Sequence, residues 1–448
     1  GLTDEIINHL YRIEYFEHVS SLTSVLNYKD PEKNIPQIAK DLGVNYILEG
    51  VYKKIGNQIR VSAQLIKAGS DGHIWQQDYD RPYEEIISLQ SEIALQIADH
   101  LKAYLTETEK QLIEKIPTQN QDAYELMQQA NYLFTTETWQ KRDQIMLLAQ
   151  KAIDLDPDYA DAYATVGGMI FSEGFYFGGK ELQSVTWEAL PYINKALELD
   201  KDNVTAIISM AGINLFVQWD YIKAEEYYLR ITDYLSTDFI ILYGYTLFLI
   251  KMGRCNEVLE LIDKSMIAID EIAVQAHVLL GNNREAYDLI NGCLYKYGKP
   301  SYTWIGDLYN WLGEYDSARY YLESAMQFKD QIPEILTPRF QACLAIASYH
   351  TGAQNQTRLI INQLIKKSDT TAVGSPAFFT GRYYSWIGEV DSAFYWLEKA
   401  YDNRSPEMSW IKVDPTFNSL KEDNRYWDLY ERAGHKAYDD YMASRNEQ

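Results

Sequence analysis

Residues 302–325, YTWIGDLYNWLGEYDSARYYLESA, and residues 377–400, AFFTGRYYSWIGEVDSAFYWLEKA, align without a gap. Gly306, Tyr309, Gly313, Ala318, Leu322 and Ala325 in the first fall opposite Gly381, Tyr384, Gly388, Ala393, Leu397 and Ala400 in the second. Around them Tyr302, Ile305 and Tyr315 answer to Ala377, Thr380 and Val390. The spacing is that of two antiparallel helices. Two helices nest closely only where one side chain of each contacting pair is small. Gly306 and Gly381 supply the small position on the first helix, Ala318 and Ala393 on the second. Gly313 and Gly388 lie between the helices, where a left-handed residue ends the first. Ala325 and Ala400 leave room for the next pair.

Weaker copies extend the pattern in both directions. One holds Ile208, Ala211, Gly212, Leu215, Tyr221, Ala224 and Tyr228; others turn at Gly253, Gly281 and Gly352. "KAIDLDPDY" and "KALELDKDN" read as ends of second helices, with Pro157 as a stop, and Tyr163, Val166 and Gly167 open the pair between them. A period of this kind marks a solenoid, in which each unit buries its apolar face on the next. About eight pairs are expected over 120–403. Pro191 falls inside a second helix and should kink or restart it. Glu173 to Lys180, with Gly174, Gly178 and Gly179, is expected to be an insertion. The succession of large, small, aromatic, turn glycine and flanked small residues resembles the tetratricopeptide repeat (TPR).

Upstream the pattern changes. Ile6, Ile7, Leu10 and Ile13 give a first apolar helix face, and Gly43 closes a helix over 35–42. Ile59, Val61, Ala63 and Leu65 alternate with polar residues, which predicts a half-buried strand over 58–66. Residues 44–53 read likewise, with Gly56-Asn57 as the hairpin turn between them. Ser70-Asp71-Gly72 begins a second turn into a strand over 73–79. A long helix is expected over 83–105. "GLTDEIINHL", "IAKDLGVNYILEGVYKKIGNQIRVSAQLI" and "HIWQQDYDR" resemble the TolB-N-like domain found in bacteria ahead of TPR arrays. The fold class expected is therefore an α-helical TPR solenoid (α-α superhelix) preceded by a small α/β domain. Residues 1–110 would form the TolB-N-like domain, 120–403 the helix pairs, and 404–448 a C-terminal cap. The closing "WIKVDPTFNSLKEDNRYWDLYERAG" resembles the family's usual terminus, a loop that folds back before a last helix.

The resemblance implies more. Such arrays often stand behind a cyclase or DNA-binding effector and a membrane helix. A strand normally precedes the Gly-Leu-Thr start, so the chain reads as a piece of a longer protein with one sheet edge exposed or covered by a neighbouring chain. That edge could pair two copies as a homodimer. The family places such a part in the periplasm of a membrane-anchored protein, with the cytoplasm as the alternative.

Composition narrows the function. The 448 residues are 46% hydrophobic and 23% charged, ordinary for a folded soluble protein. A net charge of −23 disfavours nucleic acid and anionic membranes, because both need a basic surface. No apolar run is long enough to span a bilayer. Cys255, Cys293 and Cys343 lie in apolar helical patterns and read as small buried hydrophobes. No HExxH, Walker loop, GxGxxG or CxxC occurs. His73, Asp78, Glu49 and Glu92 lack an accompanying nucleophile elbow or metal spacing. A hydrolase in the α/β part would need them mutually placed. Asp154, Asp156 and Asp158 start like a calcium loop, but Tyr159 and Thr165 replace its required Gly and Glu. No catalytic residue, metal or cofactor is expected.

What remains is a protein- or peptide-binding scaffold, or a sensory or regulatory module of a larger membrane-linked protein. In a TPR stack the first helices line the concave face. Counting from the turn glycines gives a groove of Asp307, Asn310, Trp311, Tyr349, His350, Phe378, Arg382 and Trp386. Ile346 and Ser385 accompany them. Tyr243, Leu247, Lys251, Phe216 and Val217 continue the groove upstream. Arg382 and Asn310 would hold a carboxylate or a peptide backbone. In the alternative, Trp311 and Trp386 pack between repeats or under the terminal cap.

Overall fold

The structure, a computed structural model, describes residues 2–446 apart from 12, 14, 17, 21, 27, 29–33, 70–71, 138–140, 175–179, 236–237, 266, 299–300 and 328–335; the side chains of 23, 108, 135–137 and 446 are also excluded. The chain forms two compact units, Gly1–Tyr163 and Ala164–Gln448.

The first unit opens with α1 (Leu2–Tyr11), α2 (Leu22–Leu26) and α3 (Ile35–Leu42). Asn34 caps α3 by accepting from the Gln37 amide, and Gly43 closes it at φ +67°, a conformation that costs glycine little. Strands β1 (Tyr46–Ile55), β2 (Gln58–Lys67) and β3 (Gly72–Pro82) form an antiparallel sheet in that order. The first turn is the expected Gly56-Asn57, with Gly56 at φ +62°. The second falls partly on 70–71, outside the described residues.

Alternation on β2 points Ile59, Val61, Ala63 and Leu65 into a core with Trp75 and Tyr79 of β3. Helix α4 (Ile86–His100) covers this face with Ile86, Leu89, Ile93 and Ile97, and α1 adds Ile6. Each such side chain contributes roughly 1.5–3 kcal/mol on burial. The expected helix over 83–105 is shorter. A 3-10 turn at Tyr83–Glu85 precedes it, and Lys102 breaks away at φ +56°.

Helix α5 (Glu107–Glu114) follows, then α6 (Gln121–Glu137) and α7 (Arg142–Leu155), which pack together. Tyr124 of α6 joins the sheet core, its hydroxyl donating to Gln90 at 2.9 Å. The first helix pair thus belongs to the sheet's unit. The division between units falls at 163/164, inside α8 (Ala160–Ser172).

The second unit is a TPR-type helical array. Helix α9 (Leu182–Leu199) runs unbroken through Pro191, against the expected restart. Residues 175–179 of the expected insertion lie outside the described residues. Helix α10 (Val204–Ile213) continues into a π-helical turn, Asn214–Gln218, before α11 (Tyr221–Leu229). Then come α12 (Phe239–Lys251) with α13 (Cys255–Lys264), and α14 (Asp270–Leu280) with α15 (Asn283–Tyr297). Helices α16 (Tyr302–Trp311) and α17 (Tyr315–Ala325), α18 (Thr337–His350) and α19 (Gln354–Ser368), and α20 (Pro376–Trp386) and α21 (Val390–Asp402) complete the pairs.

The small positions nest as the spacing predicts. A Cβ on Gly306 would lie 2.5 Å from Leu322 Cγ, and one on Gly381 2.9 Å from Leu397 Cγ. Ala318 and Ala393 are fully buried. The turn glycines 253, 281, 313, 352 and 388 all adopt φ near +80°.

After α21 the chain makes 3-10 turns at Pro406–Trp410 and Pro415–Leu420, then α22 (Asn424–Arg432) and α23 (His435–Asn446). Met408, Ile411, Phe417, Leu420, Tyr426 and Leu429 are completely buried. This segment folds back onto the first helices of the pairs.

Candidate functional site

The face of the first helices can be followed position by position. Arg382 and Asp307 each stand six residues before a turn glycine. Arg382 is 2% exposed. Its Nη2 donates to Asp307 Oδ1 and its Nε to Asp414 Oδ2, both at 2.8 Å, and Nη1 reaches Cys343 Sγ at 3.3 Å. Arg339 donates to Asp307 from Nε at 3.2 Å and Nη2 at 3.1 Å, and lies 3.8 Å from Glu271. Glu271, Arg339, Asp307, Arg382 and Asp414 thus alternate in sign across α14, α18, α16, α20 and the returning segment.

Burial raises a carboxyl pKa, but the two guanidinium groups beside Asp307 hold it down to about 2. Asp414 has one guanidinium beside it, and there burial prevails and the carboxyl moves up. Lys251 is buried as well. Its Nζ donates to Ser409 Oγ at 2.5 Å and lies 4.5 Å from the Trp410 ring. Burial, partly offset by Glu407, lowers it to about 7.

Sequence reasoning gave Arg382 and Asn310 the task of holding a partner's carboxylate or backbone. In the structure Arg382 holds two carboxylates of its own chain, and Asn310 donates to the Cys343 carbonyl at 2.9 Å. Phe378 is likewise buried, 5.6 Å from the Phe417 ring. Trp311 meets Trp410 edge-on at 6.3 Å, the packing under the cap that the alternative reading described. Ser385 donates to the Thr416 carbonyl at 2.6 Å. Residues 405–420 therefore occupy this face. Repeat register could place the side chains there, but nothing in it says that a segment downstream fills the space. Arg339 and Glu271 carried no signal, since neither sits at a repeat-defined position.

The predicted residues nearer the turns stay accessible. His350 is exposed; Tyr349 and Trp386 are half-buried. They gather around Tyr315, which the repeat pattern marks only as a packing position. The His350 ring stacks on Tyr315 with centroids 4.0 Å apart and planes 12° from parallel. Trp386 stands edge-on to Tyr315, its Nε1 donating to the Tyr315 hydroxyl at 3.2 Å. Tyr349 packs edge-on to His350 at 5.3 Å. Partial burial lowers the His350 pKa. Three successive turns thus contribute to one aromatic rim.

In the first unit, a cavity of about 380 Å³ is lined by Leu48, Gly50, Tyr52, Gln90 and Tyr124, and one of about 1200 Å³ by residues of α1, α2, α3 and β1. His73 and Asp78 are exposed on β3. Glu49 accepts from Gln64 at 2.9 Å, and Glu92 lies 3.9 Å from Arg81. These acids are absorbed in cross-strand and surface pairs. Among the described residues no helix is long and apolar enough to cross a membrane.

No family model matches the chain. Over 166 residues it is 28% identical to putative adenylate cyclase 3 of Rhizobium meliloti (strain 1021), a match spanning 37% of this chain and 28% of that protein. Among solved structures it is similar to the Cut9–Hcn1 hetero-tetramer of the APC/C (12% identity, TM-score 0.40, 78% of this chain and 72% of that one). It is similar also to the human IFIT1 dimer with PPP-AAAA (14% identity, TM-score 0.34, 79% and 89%).

Proposed function

We propose that the chain is a non-catalytic scaffold that binds a protein or peptide partner through its TPR-type array. The observation that carries this reading is the aromatic rim, where Tyr315, His350 and Trp386 of three successive repeats meet, with His350 exposed and Tyr315 and Trp386 half-buried. Arrays of this kind recruit partners through such extended surfaces. Of the groove first drawn from the sequence, Tyr349, His350 and Trp386 make the contact, while Trp311 packs on Trp410. Asp307, Asn310, Phe378 and Arg382 hold the wall behind it. The test is a pull-down with the intact chain, comparing wild type with His350→Ala/Trp386→Ala. The pair of substitutions should abolish capture of a partner while circular dichroism keeps the helical signal of the wild type. Unchanged capture would remove the rim from the function.

A second reading is favoured by the partial likeness to an adenylate cyclase. Here the chain is a TolB-N-like and TPR regulatory part of a larger membrane-linked signalling protein, on the periplasmic side. The complete open reading frame decides it: without a membrane segment and an effector domain, that reading falls. β1 is an end strand of the sheet among the described residues, and its exposed Val51 and Ile55, at 57% and 66%, support pairing of two copies. Val51→Lys should then halve the mass seen by light scattering, and an unaltered mass would exclude this interface.

A further inference from the structure

The scaffold reading leaves the chemistry of the partner open, and the surroundings of the rim narrow it. The rim lies where each first helix ends and each second helix begins. Helix C-termini and N-termini alternate along such an edge, so their dipoles largely offset. Side chains then set the sign. Glu314 immediately precedes Tyr315, and Glu389 follows Trp386 by three residues; both are exposed and both stand at the start of a second helix. Asp316 and Asp391 add exposed acids in the first turns of α17 and α21. Glu389 acts on Tyr383 and Tyr384, and Glu314 on Tyr309 and Tyr287, raising each phenol together with burial. Glu314 also accepts from the Tyr287 hydroxyl at 3.4 Å. The cations nearest the rim are engaged: Arg319, one turn after Tyr315, lies 2.8 Å from Glu323, and Arg425 lies 2.9 Å from Asp391 and 2.8 Å from Asp423.

Resting on the scaffold reading, we infer that the Tyr315–His350–Trp386 rim is a docking site for an arginine-bearing segment of the partner. Aromatic faces flanked by the exposed carboxylates of Glu314 and Glu389 suit a planar, weakly hydrated guanidinium, which stacks and pairs at once. Lysine, a compact and strongly hydrated charge, gains less from the same surface. A carboxylate-bearing segment is repelled. The buried arginines behind the rim are spent on Asp307 and Asp414 and offer it nothing.

The experiment uses the full chain and fluorescein-labelled hexa-arginine, hexalysine and hexaglutamate in anisotropy titrations at about 0.15 M salt, where long-range attraction is screened. Hexa-arginine should bind most tightly and hexaglutamate not at all. Trp386→Leu, and separately Glu314→Gln/Glu389→Gln, should each weaken hexa-arginine about threefold or more, and all three together roughly tenfold. The glutamine pair touches only exposed residues, so it stays informative if Trp386→Leu disturbs packing. Asp154→Asn/Asp158→Asn removes the same charge from the end of α7 and should leave binding unchanged. Equal weakening by that control, equal binding of hexalysine, or no effect of the glutamine pair overturns the inference. If the pull-down partner still depends on His350 and Trp386 while hexa-arginine fails, this inference falls and the scaffold reading stands. Loss of both results removes both.

Discussion

Replacing Arg382 with Leu tests whether the alternating charges hold the C-terminal segment in place. The substitution roughly keeps apolar bulk and removes a guanidinium that is 2% exposed. Asp307 retains Arg339 at 3.1 Å, so its charge stays compensated. Asp414, 5% exposed at its side chain, loses its hydrogen-bonded guanidinium and keeps the Thr416 amide, 2.9 Å from Oδ1. Breaking one side of a buried pair costs about 3–5 kcal/mol, because an uncompensated charge stays behind. The assay is urea unfolding followed by tryptophan fluorescence, read at the transition of the second unit. A second substitution sharpens it. Asp414→Asn in the Arg382→Leu background removes the orphan charge and should recover a large part of the loss, so the two effects are far from additive. The pH dependence has a definite sign. In the single variant Asp414 titrates above its unfolded value, so lowering the pH toward that raised pKa neutralises it and narrows the gap to wild type. A loss below about 1 kcal/mol, or a double variant less stable than Arg382→Leu alone, would refute the view that these residues form a closed internal network.

Gly306→Ala puts a Cβ 2.5 Å from Leu322 Cγ and should cost about 1–3 kcal/mol, whereas Gly292→Ala, exposed within α15 with nothing within 4 Å, should gain up to about 1 kcal/mol in the same unfolding assay. Gly434→Ala meets the Trp219 carbonyl oxygen at φ +83° and should cost several kcal/mol, on the order of the larger single-site losses, with the melting midpoint falling accordingly. His435 is lowered by burial from 6.5 to about 3, so its contribution is complete above pH 6.5 and is lost as the pH falls from there toward 3; stability measured across that window should slope upward with pH, and His435→Gln should flatten it. Lys251 is lowered from 10.5 to about 7, so stability should also rise between pH 7 and 10.5, a slope that Lys251→Met removes.

The repeat array could be read directly because its cause is local. Gly306 against Leu322 and Gly381 against Leu397 are contacts within one helix pair, and the turn glycines need only their own φ. The hairpin of β1 and β2 was legible for the same reason, since alternation and a Gly-Asn turn act over a few residues. Pro191 shows the limit: α9 stays continuous through it, with Ala189 and Ile193 buried before and after it, where local propensity would break the helix. The site was legible by half. Spacing from the turn glycines placed Tyr349, His350 and Trp386 near one another. It could not show that Tyr315 completes their rim, because that contact joins separate repeats.

The amino-acid pattern alone determined the class of fold and the faces each helix turns inward, because side-chain size at fixed intervals decides which helices nest. Only the tertiary structure decided what those faces meet. The hydrogen bond from Ser385 to Thr416 and the ion pair of Arg382 with Asp414 link residues about thirty positions apart. The pairing of Arg382 with Asp307 spans 75. Contacts at such separations depend on where a whole segment returns. A residue's charge is visible in the sequence; whether it is left for a partner or neutralised within the chain depends on that return.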